Sequence, residues 1–323
     1  MNLYPIFFKP ILKDKIWGGT ALNEIKKINP VVPQLGESWE ISVVENDISL
    51  VDNGHYKGFN LNELIEKHPL SLLGSKVIQQ HGRQFPLLIK YINAAQDLSI
   101  QVHPDDAVAI KKHNSFGKTE MWYIMDALPD SRLILGFKKD VDKHAFAKAI
   151  SQKSVLDLLN QIEVQEGDAF FIKPGLVHAI GAGITLAEIQ QSSDITYRVY
   201  DFDRKDHQGN TRELHIEDSI EVSDYKKATD HVIDYQPGLS GAQNLADSRY
   251  FTTNYLNFKG CHRLEVAPHH SFMVLMNVGQ SCDIICAGKS YTLKTAQTVL
   301  IPAAVPYVLL KATGVAKLLS IHL

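Results

Sequence analysis

The sequence predicts a mainly β protein, built as a sandwich or barrel with a few helices on its surface. Short runs rich in β-branched and aromatic residues recur along the 323-residue chain, and most are bounded by Gly, Pro, Asn or Asp. Helical periodicity is confined to a few segments. Because strands and helices do not alternate regularly, a doubly wound parallel sheet is disfavoured.

Strands are expected first in the N-terminal part of the chain, at 39–44, 48–51, 87–92, 98–102, 121–125 and 133–137. Helices are predicted at three segments, 105–112, the amphipathic 142–162, and 215–222. The last part of the chain returns to short strands, at 251–258, 263–266, 272–276, 283–285, 298–301 and 307–310. These few helices decorate a chain that is otherwise strand and turn.

Segment 224–249 lacks a periodic pattern and contains Gly, Pro and Ser residues between positions 237 and 241, which is typical of a connection. The length of the chain also suits about two domains. We therefore divide it into residues 1–240 and residues 241–323.

A weak internal repeat links the two parts. The seven residues from Ile172 to His178 align with those from Ile301 to Tyr307, and each copy follows an apolar strand. The second copy carries Tyr307 where the first carries His178. A structural duplicate without a metal site would show this difference.

The overall composition excludes some classes of protein. Lys and Arg number 33 against 36 Asp and Glu, a net charge of −3, so a strongly basic nucleic-acid-binding surface is not expected. No apolar run is long enough for a membrane-spanning helix. The three cysteines cannot form a closed disulfide framework, and no secretory signal opens the sequence, so we expect a reducing, cytoplasmic setting.

The first candidate for chemistry is the segment that contains Gln101 and His103. Alternate residues of a strand face the same side, so these two side chains project together, and Pro104 ends the strand. An amide oxygen beside an imidazole can form half of a divalent metal site. The alternative is a histidine at a strand end that bonds to a carboxylate or to the main chain.

Lys118 and Glu120 share one face of the next predicted strand. They could form an ion pair at the surface. Alternatively, Glu120 ligates a metal while Lys118 lies over a bound substrate. His178 opens a later strand, and in a barrel such distant residues can converge on one interior point. Two histidines and a carboxylate would leave an open coordination position, as expected of a catalytic zinc.

Arg198 lies in a strand with an unusual density of polar residues and can project into the same interior. Its planar guanidinium suits a phosphate or a developing oxyanion. The alternative is a structural arginine paired with Asp194 or Asp201.

Four motifs occur in one order: Gln101-Val102-His103-Pro104, Lys118-Thr119-Glu120, Pro174-Gly175-x-x-His178-Ala179 and Thr196-Tyr197-Arg198-Val199-Tyr200-Asp201. Together they resemble the type I phosphomannose isomerases in their short bacterial form. Trp17-Gly18-Gly19 and Gly36-Glu37-Ser38-Trp39-Glu40 are also similar to that family. The resemblance covers essentially the whole chain and is densest between residues 86 and 204.

The resemblance implies two cupin-like jelly-roll barrels, a catalytic one in residues 1–240 and a degenerate one in 241–323. It implies one zinc ion bound by residues that match Gln101, His103, Glu120 and His178. Arg198 matches the active-site arginine of the family, and Lys118 matches a lysine beside the metal. Further substrate-binding candidates are Glu188, Lys90, Ser38 and Arg204.

The implied reaction interconverts mannose 6-phosphate and fructose 6-phosphate through an enediol or enediolate. Zinc would act as a Lewis acid, and Lys118 and Arg198 would add positive charge that suits a sugar phosphate. The proton carrier stays open between Lys118, a zinc-bound water and Glu188, because a general base needs reach first and a suitable pKa second.

Two other classes of function remain. A non-catalytic cupin could use the same pocket only to bind a sugar phosphate. A metal-dependent cupin oxygenase is less favoured, because Gln101 is an unusual ligand for iron. A serine hydrolase is disfavoured because the sequence has no Gly-x-Ser-x-Gly. The oligomeric state is left open.

Overall fold

The computed structural model describes residues 3–206, 208–229 and 231–323. These residues form antiparallel sheets with short helices between them, which confirms the prediction of a mainly β, cupin-like fold. Every predicted strand overlaps an observed one, and the helices predicted at 105–112 and 215–222 are confirmed. Among the described residues, no helix is long and apolar enough to cross a membrane.

The first fifteen strands are β1 (Ile6–Lys9), β2 (Ile11–Gly19), β3 (Leu35–Ile41), β4 (Val43–Val44), β5 (Asp47–Ile48), β6 (Leu50–Val51), β7 (Leu87–Ala94), β8 (Ile100–Val102), β9 (Glu120–Ala127), β10 (Arg132–Phe137), β11 (Leu159–Glu163), β12 (Ala169–Ile172), β13 (His178–Ile180), β14 (Ile184–Gln191) and β15 (Tyr197–Tyr200). The helices are α1 (Ala21–Lys26), α2 (Leu61–Lys67), α3 (Pro69–Leu73), α4 (Ser75–His81), α5 (Asp106–His113), α6 (Lys143–Ser151) and α7 (Ile216–Val222), with short 3-10 segments at Gly54–Tyr56, Val155–Leu158 and Ala267–His269. The C-terminal strands are β16 (Gly241–Asp247), β17 (Thr252–Glu265), β18 (Met273–Asn277), β19 (Cys282–Cys286), β20 (Lys289–Leu293), β21 (Thr298–Ile301) and β22 (Tyr307–His322).

Two sheets of the first half pack face to face. One has the order β11-β10-β13-β8-β15, and the other has the order β12-β9-β14-β7-β2-β3. Apolar side chains of both sheets share one buried core, which includes Leu133 and Ile180 from the first and Ile92, Trp122 and Phe170 from the second. Alternate residues of each strand point into the space between the two sheets. Those that are not part of the apolar core can be polar side chains that share this space.

The C-terminal strands form a separate nine-stranded sheet with the path β16-β17-β22-β18-β21-β1-β6, to which β19 and β20 are attached. The long strands β17 and β22 pair along most of their length, and the sheet curls around an apolar core of its own. Strand β1 pairs with β21, so the first strand of the chain lies in the C-terminal sheet. The division at residue 240 and the closure of this half as a barrel stay predictions, but β1 does not follow that division.

The two halves share a large apolar core. It contains Leu64 and Phe85 from the first half together with Tyr255, Phe272 and Leu319 from the second. Polar contacts reinforce it, since the hydroxyl of Tyr91 donates to the carbonyl oxygen of Gln297 at 3.1 Å. The C-terminal half is therefore packed against the first half.

The helix predicted at 142–162 is too long. Helix α6 starts at an Asp142 cap, which accepts from the Ala145 amide, and ends at Ser151. Lys153 has a positive φ of 55°, which stops the helix, and the chain then enters strand β11. Beyond this point Val155 and Leu158 lie in a 3-10 segment, and Leu159 opens β11, which pairs with β10, so one apolar pattern covers three different structures. The helices α1, α2, α3 and α4 were not predicted, although Asn60 and Glu63 form a capping box at the start of α2.

Candidate active site

Three buried side chains, His103, Glu120 and His178, meet between the two sheets of the first half. His103 directly follows β8, and His178 opens the neighbouring strand β13, where it lies opposite Gln101. Glu120 opens β9 in the facing sheet. One ligand atom from each of the three residues lies within 4.8 Å of the others. Residues far apart in the chain thus converge, as the barrel geometry predicted.

The contacts within this cluster leave metal-binding atoms without partners. His103 Nε2 lies 3.3 Å from Glu120 Oε1, and His178 Nε2 lies 3.7 Å from Glu120 Oε2. His178 Nδ1 lies 2.8 Å from the carbonyl oxygen of Leu176, so this nitrogen donates and Nε2 is left as an acceptor. His178 Nε2 and Glu120 Oε2 are buried without a hydrogen-bond partner, while Glu120 Oε1 is held by an ion pair with Lys118. Such atoms suit a divalent cation.

Electrostatics favour the ligating form of each group. Burial, together with the nearby Lys118, lowers the pKa of His103 to about 3, and burial also lowers the pKa of His178. Although burial alone would raise the pKa of Glu120, Lys118 and His103 bring it well below its ordinary value. The cluster therefore offers neutral imidazoles and an anionic carboxylate, the combination that zinc sites use.

A cavity of about 300 Å³ opens beside the cluster. Its lining includes six cationic side chains, Lys13, Lys15, Lys90, Lys118, Arg198 and Arg212. It also includes four acidic ones, Glu37, Asp47, Glu188 and Asp194. Gln101 lines the same wall. The excess of positive charge attracts an anionic ligand, and the low-dielectric walls of the cavity strengthen this attraction.

Lys118 joins the cluster to the cavity. Its Nζ lies 2.8 Å from Glu120 Oε1 and 3.1 Å from His103 Nε2. The ion pair considered for Lys118 and Glu120 does form, but the two side chains are only 6% and 1% exposed. A buried pair of this kind is costly to desolvate and is weak evidence for a role in stability alone.

A row of side chains crosses the inner face of the six-stranded sheet. Trp39, Lys90, Glu188 and Trp122 are paired in register on adjacent strands. Lys90 Nζ lies 2.9 Å from Glu188 Oε2, and the indole Nε1 of Trp122 donates to Glu188 Oε1 at 2.8 Å. Burial, with Glu120 adding to it, raises the pKa of Glu188 even though Lys90 opposes the shift. Glu188 is thus a carboxyl group held rigidly at the cavity wall.

Arg198 lies on β15 opposite Gln101 and lines the cavity. Its Nη1 donates to the carbonyl oxygen of Glu213 at 3.4 Å, and its Nε is buried without a hydrogen-bond partner. The alternative of a purely structural pair with Asp201 is not favoured, because Asp201 binds other arginines. Arg212 donates to its two oxygens at 2.7 and 2.5 Å.

Two sequence candidates, Ser38 and Arg204, do not line the cavity. The hydroxyl of Ser38 donates to Glu40 Oε1 at 2.6 Å on the outer face of β3, because alternate residues of the strand face opposite ways. Arg204 Nη2 donates to Asp201 Oδ1 at 2.9 Å. Their part in substrate binding stays a prediction.

Sequence reasoning also missed several cavity residues: Lys13, Lys15, Trp39 and Arg212. Trp39 stood in a segment that the sequence singled out, and strand alternation from Ser38 could have indicated it. Lys13 and Lys15 alternate on β2 in the same way. Arg212 lies in an irregular segment, where no periodic signal was available.

A buried cluster of two histidines and a carboxylate that could hold a metal ion, open to a charged cavity inside a cupin-like fold, is the arrangement found in metal-dependent enzymes of the cupin type. Residues 6–126 match the family model for the phosphomannose isomerase type I catalytic domain. The chain is 38% identical over 305 residues to mannose-6-phosphate isomerase ManA of Bacillus subtilis, with 94% of each chain covered. It is 37% identical over 303 residues to the mannose-6-phosphate isomerase of Streptococcus mutans, with 92% of each covered.

The structure is also similar to the crystal structure of the mannose 6-phosphate isomerase from Bacillus subtilis. The TM-score is 0.87 at 32% identity, and the match covers 99% of this chain and 100% of the other. The chain belongs to the mannose-6-phosphate isomerase family, a family of aldose–ketose isomerases.

Proposed function

We propose that this protein interconverts mannose 6-phosphate and fructose 6-phosphate through an enediol or enediolate, with one zinc ion per chain. The observation that carries the proposal is the buried cluster of His103, Glu120 and His178 at a cavity with an excess of cationic side chains. The family to which the chain belongs supports the substrate.

Zinc would be held by Gln101, His103, Glu120 and His178. The unpartnered Nε2 of His178 and the unpartnered Oε2 of Glu120 fit such an ion, and Gln101 is adjacent to His178 across the sheet. When bound, zinc would act as a Lewis acid toward oxygens of the sugar.

Arg198 stabilises negative charge that develops on the sugar during proton transfer. Its side chain lines the cavity, and the side-chain hydrogen bond that the described residues give it is a long one, from Nη1 to the carbonyl oxygen of Glu213 at 3.4 Å. Preorganised donors of this kind need no reorganisation as the charge appears. Lys90 adds positive charge in the same space while paired to Glu188.

Lys118 carries the proton between C2 and C1. Its Nζ lies beside Glu120 and His103, two of the proposed zinc ligands, and so beside the place where the sugar oxygens on C1 and C2 would be held. Glu188 lines the same cavity, fixed by Trp122 and Lys90, and would orient a sugar hydroxyl. Since reach decides first among candidate bases, Lys118 is the better placed of the two.

We also propose a cytoplasmic location. Cys261, Cys282 and Cys286 are all unpaired, and two of them are buried within the C-terminal half. Free thiols are typical of a reducing compartment.

A coupled assay with mannose 6-phosphate tests the activity. We expect turnover that a chelator removes and zinc restores, with about one zinc per chain by elemental analysis. Tight binding of the sugar phosphate without isomer exchange would instead identify a binding protein. Iron at one equivalent, with oxygen consumption, would favour the oxygenase class.

The proton carrier is tested by Lys118→Met with Glu188→Gln as a comparison. In deuterated water, Lys118→Met should abolish the incorporation of deuterium at C2 of the product mannose 6-phosphate. Glu188→Gln should lower the turnover number, but its product should still contain deuterium at C2. If Lys118→Met incorporated deuterium as the wild type does, the role of Lys118 would be refuted.

A further inference from the structure

The carboxylate of Asp106 lies outside the cavity and connects the loop that carries Lys118 to the C-terminal half. Its Oδ1 accepts from the Gly117 amide at 2.9 Å and from Gln191 Nε2 at 2.9 Å. Its Oδ2 accepts from the hydroxyl of Tyr250 at 2.7 Å and from Arg249 Nη2 at 2.8 Å. Both oxygens are thus engaged on opposite sides, one by the loop and one by the other half.

The same network holds the loop between Gly117 and Glu120. Gln191 Oε1 accepts from the Thr119 amide at 2.9 Å, so Thr119 is tied to Asp106 through one side chain. Both flanking amides of Lys118 are therefore anchored, directly or indirectly, on one carboxylate.

The loop also lies flat against the start of α5. The Lys118 amide donates to the carbonyl oxygen of Pro104 at 3.1 Å. A Cβ atom built on Gly117 would lie only 2.6 Å from the carbonyl carbon of Asp105 and from the amide nitrogen of Asp106. Glycine at this position permits the close approach that the hydrogen bonds require.

Arg249 and Tyr250 belong to the turn between β16 and β17, in the C-terminal sheet. The Arg249 side chain is 71% exposed, so its ion pair with Asp106 contributes little. Tyr250 is part-buried, and its hydroxyl makes the shorter bond to the carboxylate. The contact from the C-terminal half therefore depends mainly on Tyr250.

We propose that Asp106 is a positioning residue, held from the C-terminal half by Tyr250, which directs Lys118 toward the substrate. The inference rests on the proposed function, in which Lys118 carries the proton. It gives the C-terminal half a role in turnover although its own core contains no counterpart of the metal cluster among the described residues.

Asp106→Ala and Tyr250→Phe test this role by steady-state kinetics and metal analysis. We expect Asp106→Ala to lower kcat about tenfold or more, with KM within about twofold and zinc content unchanged, because groups that orient an active-site residue typically contribute on this scale. Tyr250→Phe removes one bond and should lower kcat about two- to fivefold. The kcat of Asp106→Asn, which preserves the size of the side chain, should lie between those of Asp106→Ala and Tyr250→Phe. This variant replaces Asp106→Ala in the test if the alanine variant does not fold.

Lys317→Met is the matched control. Lys317 Nζ lies 2.8 Å from Glu166 Oε1, which is another side-chain contact between the halves but does not touch the loop. This variant should retain wild-type kcat. Hydrogen exchange of a peptide covering residues 115–120 should accelerate in Asp106→Ala and Tyr250→Phe and stay unchanged in Lys317→Met.

The outcomes separate this inference from the proposed function. If the wild type isomerises the sugar phosphate but Asp106→Ala keeps kcat within twofold, the positioning role is wrong. A loss of kcat that matches a loss of zinc would also overturn it. If the wild type shows no isomerase activity, the proposed function fails, and the exchange data alone then decide whether Asp106 couples the loop to the C-terminal half.

Discussion

Two turns at corresponding positions of the sequence repeat occur in the two halves of the molecule, and one of them carries a proposed metal ligand. The first follows Ile172 at the end of β12, and the second follows Ile301 at the end of β21. Each contains an amide-to-carbonyl bond between equivalent positions, at 3.2 Å in the first and 2.9 Å in the second. Each is followed by a strand that opens with a ring-bearing residue, His178 or Tyr307.

The turns differ in what they pack against. The Gly175 amide donates to the carbonyl oxygen of His103 at 3.0 Å, so the first turn is tied to another proposed ligand. Gly175 has a φ of 85°, and a Cβ atom there would lie 2.9 Å from the carbonyl oxygen of Val222. The second turn has Ala304 at this position, and its amide donates to Ser71 in α3. The first turn packs against a residue of the His103, Glu120 and His178 cluster, and the second packs against helix α3.

The interiors beside the two turns differ more. The first encloses charged pairs, such as Lys90 with Glu188 and Lys118 with Glu120. The second encloses apolar side chains, such as Leu275, Leu310 and Leu318. Burying charge is unfavourable without partners, and an apolar core would stabilise the first half at lower cost. In both halves the turn places a ring-bearing residue at the start of a strand. The comparison shows that the side chains of the neighbouring strands determine whether that residue can belong to a functional site.

The largest effect is expected from His178→Ala. Removing one of two imidazoles from a buried centre should abolish stoichiometric zinc binding and with it turnover, because the remaining donors no longer complete the site. Elemental analysis and the coupled assay measure both. Tyr307→Ala makes a truncation at the equivalent position and should leave zinc content and kcat unchanged. A His178→Ala protein that kept one zinc per chain would show that His178 is not a ligand.

Arg198→Ala should have the next largest effect. Loss of a donor aimed at developing charge costs about 100- to 1,000-fold in kcat. Zinc content should stay at the wild-type value, since Arg198 has no contact with His103, Glu120 or His178 among those the structure describes. Arg204→Ala is the control, because that side chain binds Asp201 and does not line the cavity. Activity of Arg198→Ala within a few-fold of the wild type would contradict its proposed role.

Much of the site could be predicted from sequence because strand alternation and turn residues are local signals. The spacing of Gln101 and His103 predicts that they share a strand face, and Pro104 predicts where that strand ends. The convergence of His178 with Glu120 depends on β13 and β9 lying in facing sheets, a feature of the whole fold. The barrel predicted from the pattern of short strands indicated that these residues could converge, and the resemblance to a family added the ligand set.

What could not be predicted depends on pairing between distant strands. Trp39, Lys90 and Glu188 form one row because of the registers of β3, β7 and β14, and no local pattern fixes a register. Which face of β3 meets the cavity depends on the same packing, and it is Trp39 rather than Ser38 that lines the cavity. Segment 142–162 was misassigned because short apolar runs fit both a helix and a strand.

A smaller effect is expected on the acid stability of the metal-free protein. The pKa of His103 is lowered to about 3 by burial and Lys118, whereas the unfolded chain takes up a proton near pH 6.5. Stability contributed by the neutral ring is therefore present above pH 6.5 and is lost as the pH falls from there toward 3. Between pH 7 and pH 5 this amounts to about 2 kcal/mol.

Urea unfolding of the chelated protein at the two pH values measures this loss. In metal-free His103→Gln the part of the pH dependence that comes from this ring should disappear. Burial also lowers the pKa of His322 in the C-terminal half, whose ring centroid lies 3.8 Å from that of His269. The variant His322→Gln should therefore reduce the dependence of the free energy of unfolding on pH independently of His103. If the free energy of unfolding of His103→Gln depended on pH as it does in the wild type, the ring of His103 would not be held neutral in the folded protein.

The smallest effect is expected from Tyr307→His, which places the ligand type of the first turn into the second. Tyr307 is 38% exposed and lies under the guanidinium of Arg263 at 3.6 Å. Its cross-strand partner on β17 is Glu265, which is itself bonded to Arg263. An imidazole here would face solvent and an arginine rather than a second histidine.

We therefore expect Tyr307→His to bind no second zinc and to keep wild-type turnover, with a change in Tm of about 1–2 °C from the weakened contact with Arg263. Tyr307→Phe keeps a ring over the guanidinium and should change Tm less. Elemental analysis decides the point. A second equivalent of zinc in Tyr307→His would mean that the turn and one ring suffice to make a site. Since the proposed site draws its donors from β8, β9 and β13, and the C-terminal core supplies apolar neighbours instead, one equivalent is the result that the two interiors predict.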